Sequence, residues 1–199
     1  MTVDAKRRSI ALIEGYSKAL DAIRDEHISI ALWQREPAID LASVDMDKIS
    51  DIRFTSDIGA LGGMLADALA DAGYAEGRFR KALHDDIVSL ASRFAGIMKS
   101  DAVEIRLEHI TTNACKKFHS DYVQARLITT YSGQGTQWLD IDETADCDCG
   151  EPHNIQQMQT GDVALFKGRL WSSRAPAIHR SPPIEGTGEE RLMLVINPE

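Results

Sequence analysis

From residue 103 onward apolar positions alternate with polar ones. Val103, Ile105 and Leu107 are separated by Glu104 and Arg106, the period-two pattern of a half-buried strand. The run 123–131 is rich in Val, Leu, Ile, Thr and Tyr, residue types that suit a pleated surface. Further strands are predicted over 155–158, 163–166 and 191–196. Gly133-Gln134-Gly135 and Gly161-Asp162 mark turns, and 181–188, with two prolines and two glycines, marks a loop. The first hundred residues read differently. Ile10, Ile13, Tyr16, Leu20 and Ile23 form a stripe that predicts a helix over 1–27, and helices are also expected over 40–52, 57–72 and 75–100. The last carries Phe79, Leu83, Ile87, Leu90, Ala91, Phe94 and Ile97 at helical spacing. One short strand is expected over 27–35, ended by Glu36-Pro37.

Helices followed by strands, without alternation, predict an α+β protein. The expected layout is a single domain over 1–199. A mainly helical layer, 1–100, would pack on one sheet of a β-barrel core, 101–199, built as a jelly roll of the kind that cupins use.

Composition narrows the function classes. The chain has 199 residues, 43% hydrophobic and 27% charged, which is ordinary globular composition with enough length for an ample core. A net charge of −9 argues against gripping nucleic acid or an anionic membrane by bulk charge. No apolar run approaches the roughly 20 residues that span a bilayer. Lys6, Arg7 and Arg8 precede an apolar stretch, but Glu14 breaks it and no small-residue cleavage site follows, so no signal peptide is expected. Three cysteines, an odd number, suggest no disulfide framework. These features together predict a cytoplasmic protein.

The candidate chemistry begins at Phe118-His119-Ser120-Asp121. On a strand, residues two apart point to one face, so His119 and Asp121 can reach one ion. A second His-x-Asp pair, His84 and Asp86, lies on a predicted helix, where residues two apart sit about 200° around the axis; that pair cannot share an ion. His179 is the best-placed third ligand. Three protein ligands with open positions suit a non-haem Fe(II) centre. If no bulge intervenes, odd-numbered residues from His119 to Tyr131 would share the pocket face. Arg191, twelve residues beyond His179, is a candidate buried guanidinium holding a carboxylate. Cys147, Cys149 and His153, with Cys115, form a second candidate cluster for a soft ion such as Zn(II); a plain acidic loop with free thiols is the other reading. Arg126, Arg174 and Arg180 lie near the proposed mouth, and Trp138 and Trp171 line either a substrate pocket or the core.

The order His119, Asp121, a long gap, His179 and then Arg191 resembles the Fe(II)- and 2-oxoglutarate-dependent dioxygenases of the double-stranded β-helix fold. Tyr131 matches a place where many members have a polar residue contacting the cosubstrate. Gly133-Gln134-Gly135-Thr136 and Gly161-Asp162-Val163-Ala164-Leu165-Phe166 resemble their turns. The resemblance covers about residues 101–199. It implies an oxygenase that hydroxylates a small molecule or a protein side chain. Fe(II) would be held by His119, Asp121 and His179, and 2-oxoglutarate by Arg191 and Tyr131. Zn(II) would be an alternative occupant in purified protein, since affinity rises from Fe(II) to Zn(II). Residues 115–139 also resemble a bacterial family catalogued as a domain of unknown function. Two alternatives stay open: a cupin-like metalloenzyme without 2-oxoglutarate, and a non-catalytic metal-binding or metal-homeostasis protein.

Overall fold

The structure is a computed structural model that describes residues 10–14, 17–39, 44–139, 152, 154–171 and 176–199. It is a mixed α/β fold with ten strands and two α-helices among these residues. Seven strands form the larger sheet. In spatial order they are β1 (Ile10–Glu14), β2 (Ile30–Gln34), β8 (Val163–Lys167), β5 (Ala125–Ser132), β10 (Arg191–Pro198), β4 (Ala102–Ile110) and β3 (Ile52–Asp57). The smaller sheet has the order β7 (Gln156–Gln157), β6 (Gln137–Leu139) and β9 (Ile178–Arg180). Pairing is antiparallel except between β1 and β2.

The period of two sorts the large sheet into two faces. Val103, Ile105, Leu107, Ala125, Leu127, Leu192, Leu194 and Ile196 join one apolar cluster with Leu61, Leu65 and Leu69 of α1 (Leu61–Asp71) and with Leu83, Ile87, Leu90 and Phe94 of α2 (Arg78–Met98). The alternate residues Ile128, Met193 and Val195, with Ile30, Leu32, Ala164 and Phe166, face a second cluster that includes Trp138 of the small sheet. The polar site lies on this second face, between the sheets.

Several expectations need correction in the first half. The predicted helix over 1–27 is, where described, a strand at Ile10–Glu14 and a 3-10 helix at Ser17–Arg24. Ile10-Ala11-Leu12-Ile13 is a short continuous apolar run, which fits a buried strand as well as a helix; parallel pairing with β2 decides it. Of the predicted helix over 40–52, the described part contains only a 3-10 turn at Met46–Lys48, and Ile52 already begins β3. The first hundred residues are therefore no separate helical layer, because they supply both edges of the large sheet.

Gly168 sets the close approach on which the site depends. A Cβ there would lie 2.1 Å from Val123 O and 2.9 Å from Asp121 O. The backbone N–H groups of Gly168, Arg169 and Leu170 donate to Gln124 O, Asp121 O and Val123 O, at 2.8, 2.9 and 3.1 Å. Gly168→Ala must push these strands of chain apart. A loss of about 1–3 kcal/mol is expected, the usual cost of overpacking, measured by denaturant unfolding.

Candidate metal centre

The segment carrying His119 and Asp121 is not a continuation of β5. The strand begins at Ala125, and 121–124 is an irregular stretch held by the 168–170 turn. His119 instead forms an isolated antiparallel bridge with His179 of β9. Each donates its N–H to the other's carbonyl, at 3.0 and 2.9 Å. Residues directly opposite in such a bridge project to the same side. The two imidazoles accordingly lie with centroids 4.8 Å apart, although the residues are far apart in sequence. Phe166 packs on the other side of His179, also with centroids 4.8 Å apart.

Asp121 completes the group. One ligand atom from each of His119, Asp121 and His179 lies within 4.8 Å of the others. His119 Nε2 is 3.5 Å from Asp121 Oδ1, and His179 Nε2 is 3.3 Å from Oδ2. His119 Nδ1 is 2.9 Å from Lys117 O. A carbonyl oxygen only accepts, so Nδ1 carries the hydrogen and Nε2 is turned to the carboxylate. A ring nitrogen fixed this way is the usual support for a metal-binding imidazole.

The residues fit a cation. Asp121 Oδ2 is sealed from solvent and has no well-aligned hydrogen-bond donor among the described residues, although Arg126 Nη1 is 2.9 Å away. Buried polar atoms without partners are rare and call for a physical cause. Two imidazoles and one carboxylate are also the donor set that borderline divalent ions take. Burial pushes the Asp121 carboxyl up. The contacts with His119 and His179 and the positive charge of Arg126 outweigh it and hold the group well below the usual carboxylate range. The His119 imidazole is raised, first by its contact with Asp121 and against the effect of burial.

His119 and His179 line a cavity of about 340 Å³ together with Arg106, Arg126, Thr136, Ser181 and Met193; Asp121 lies behind them, against His119, His179 and Arg126. This lies within the ~300–1,000 Å³ range of small-molecule sites. Arg191 sits behind Ser181 and Met193 and is fully buried. Its Nε donates to Gln134 O at 2.6 Å, Nη1 to Ser181 Oγ at 3.0 Å and Nη2 to Thr130 Oγ1 at 3.3 Å. No carboxylate among the described residues pairs with it. Burial lowers its pKa to about 10, so the guanidinium remains charged near neutrality. A β-bulge between Leu192 and Met193 lies beside it, a common device for re-aiming side chains at a site.

Tyr131 is not part of this group. The expected shared face of odd-numbered residues from His119 to Tyr131 fails, because irregular backbone between 121 and 125 resets the parity. Even-numbered Arg126, Ile128 and Thr130 face the cavity side, while Tyr131 lies with the helices. There its hydroxyl donates to Asp86 Oδ2 at 2.7 Å. The His84 and Asp86 pair is split, as helical geometry requires: His84 contacts Gly62 O and Asp85, while Asp86 takes Arg35.

The cluster of Cys147, Cys149 and His153, and Arg174, lie outside the described residues; Cys115 is exposed and also borders the cavity. Trp138 is in the core. Arg180 lies over the Phe118 ring, 4.3 Å from its centroid. Thr130 and Ser181 went unnoticed in the sequence, because a hydroxyl that meets an arginine across three strands leaves no local pattern.

Comparison with solved structures gives several distant likenesses. The dioxygenase for auxin oxidation 1 from Arabidopsis thaliana, in a 2-oxoglutarate binary complex, is 12% identical over 74% of this chain and 61% of its own, with a TM-score of 0.45. A full-length Neurospora crassa protein in complex with alpha-KG is 12% identical over 61% of this chain and 50% of its own, with a TM-score of 0.40. A protein of Shewanella oneidensis described only as a candidate oxygenase is 10% identical over 92% of this chain and 85% of its own, with a TM-score of 0.49. The chain thus spans three fifths and one half of the first two proteins. Among curated proteins none matches the sequence. The model of the family described as "Protein of unknown function (DUF1826)" matches residues 16–197, and the chain belongs to that family.

Proposed function

We propose that this protein is an Fe(II)- and 2-oxoglutarate-dependent oxygenase with a double-stranded β-helix core. The observation that supports this reading is a pairing: a His119, Asp121 and His179 cluster whose two histidines line one cavity, and behind the cavity wall a buried arginine without a counterion among the described residues. In this reading His119 Nε2, His179 Nε2 and one Asp121 oxygen hold the metal. When bound, the metal and 2-oxoglutarate supply O2 activation, coupled to oxidative decarboxylation to succinate and CO2 and to insertion of one oxygen atom into a substrate C–H bond.

The chain's own residues do the rest. Lys117 O fixes the His119 tautomer. Arg126 lies against Oδ2 of the Asp121 carboxylate, at 2.9 Å. Arg191 receives the distal carboxylate of 2-oxoglutarate. A buried cation without an anion costs several kcal/mol, and a dicarboxylate relieves that cost. Ser181 and Thr130 accept hydrogen bonds from Arg191, which leaves their own protons free to donate to the same carboxylate. Arg191 is fully buried, where the low local dielectric strengthens its contacts.

The test is cosubstrate binding, followed by calorimetry on protein loaded with Zn(II) in place of the redox-active ion. Arg191→Met is expected to weaken 2-oxoglutarate at least tenfold while metal affinity stays unchanged. Unchanged 2-oxoglutarate affinity in the variant would favour a cupin-like metalloenzyme. No binding by the unmodified protein would remove the 2-oxoglutarate reading altogether.

A further inference from the structure

Arg126 is held in the cavity from two sides. Its Nε donates to Asn197 Oδ1 at 2.9 Å, and Asn197 Nδ2 donates in turn to Glu104 Oε2 at 2.6 Å. Glu104 Oε1 is 2.6 Å from Arg53 Nε at the sheet edge. This chain crosses β5, β10, β4 and β3 and fixes the guanidinium independently of Asp121. Nη1 reaches Asp121 Oδ2 at 2.9 Å, and Nη2 has no partner among the described residues. The side chain is 18% exposed, and the surface it shows borders the cavity.

The charges at this wall do not balance once the proposed metal and cosubstrate are in place. A divalent ion brings two positive charges, and Arg126 and Arg191 bring one each. Asp121 supplies one negative charge and a dicarboxylate two, which leaves one positive charge. The other charged side chains at the cavity do not remove it, and Arg180, which also lines it, is itself a cation. Glu108 is paired with Arg106, which donates from both Nε and Nη2. Asp51 is exposed at the mouth and accepts the His109 N–H; its field is weakened by solvent and salt. Arg126 has Asp121 as its acid partner, the same carboxylate that the metal claims.

We infer that Arg126 is a specificity-determining residue and that the substrate is a small acid, its carboxylate or phosphonate docking on the free side of this guanidinium. Planar, multiply donating arginine suits either oxyanion. The inference rests on the metal and cosubstrate reading above. It makes the target an anionic small molecule, which enters with its charged end beside Asp121 and so places the adjacent carbon near the metal.

The experiment titrates acetate, methylphosphonate and uncharged acetamide into the full chain loaded with Zn(II) and 2-oxoglutarate, read by calorimetry. Zn(II) and 2-oxoglutarate content are measured in the same samples. At least one of the two anions is expected to bind with unit stoichiometry, and acetamide at least tenfold more weakly. The stronger of acetate and methylphosphonate identifies the oxyanion. Arg126→Gln also removes a partner of Asp121, which lowers Zn(II) affinity by up to about 100-fold, so it is titrated at Zn(II) levels that keep the site filled. There it is expected to weaken the anion at least tenfold with 2-oxoglutarate retained, and Arg126→Lys to keep most of the affinity. Equal binding of acetate and acetamide, no anion binding by loaded protein, or unchanged anion affinity in Arg126→Gln would each overturn the inference. So would loss of 2-oxoglutarate from Arg126→Gln with Zn(II) retained, which would place Arg126 in the cosubstrate subsite. Failure of the unmodified protein to take up Zn(II) or 2-oxoglutarate would instead strike the underlying oxygenase reading.

Discussion

Asp121→Ala is expected to weaken divalent-metal binding by more than about 100-fold, since loss of a mere supporting partner of a metal ligand costs about 10–100-fold. The substitution removes the one carboxylate of the triad. It should not unfold the chain, because the local backbone is held by the Gly168, Arg169 and Leu170 N–H groups and not by the side chain. It does leave Arg126 without its acid partner among the described residues, so a modest fall in stability accompanies it. His84→Ala serves as the comparison. His84 belongs to the chain's other His-x-Asp pair, yet it lies on α2 away from the cluster, and its loss should leave metal affinity unchanged. Competition with a chromophoric chelator measures both variants. Equal metal affinity of Asp121→Ala and the unmodified protein would mean that the ion binds elsewhere.

The second large effect concerns stability. Arg35 Nη1 and Nη2 donate to Asp86 Oδ1 and Oδ2 at 2.6 and 2.8 Å, and Arg35 Nε donates to Gly161 O at 2.8 Å. The side chains of Arg35 and Asp86 are only 11% and 12% exposed. Burial works to lower the Arg35 pKa, yet the Asp86 carboxylate outweighs it and leaves the value raised. Asp86→Ala leaves a buried guanidinium and the Tyr131 hydroxyl without their acceptor. Breaking one side of a buried pair costs about 3–5 kcal/mol, a fall in Tm on the order of 10 °C for a chain of this size. Tyr131→Phe should be milder, about 1 kcal/mol, because both Arg35 donors still reach Asp86. It should also leave 2-oxoglutarate affinity unchanged, since the Tyr131 side chain lies on the helix side of the sheet. Thermal unfolding of the two variants, with cosubstrate titration of the second, checks each statement.

What could be read from the sequence follows a physical line. Period-two stretches such as Val103, Ile105 and Leu107 gave strands in place, and the long stripe from Phe79 to Ile97 gave α2. Short continuous apolar runs such as Ile10–Ile13 are ambiguous, because pairing with another strand settles their form. The alternation Ile52, Arg53, Phe54 marks β3, yet the helix expected over 40–52 claims its first residue and leaves 53–56 in no element. At the site, His119, Asp121 and His179 lie together as anticipated, yet through a cross-strand bridge and an irregular loop and not through one strand face. That is why Tyr131 falls on the opposite face from the one expected: parity arguments fail across any break in the ladder. The Arg126 to Asn197 contact joins residues distant in sequence, and no local pattern announces such a pair.

No helix among the described residues is long and apolar enough to cross a membrane. X-ray absorption at the zinc edge of Zn(II)-loaded protein tests the central assignment most directly. The account predicts a shell of nitrogen and oxygen ligands at about 2.0–2.2 Å, with outer scattering from two imidazoles. A sulfur shell at about 2.3 Å would put the ion on cysteine thiolates instead, and would contradict it.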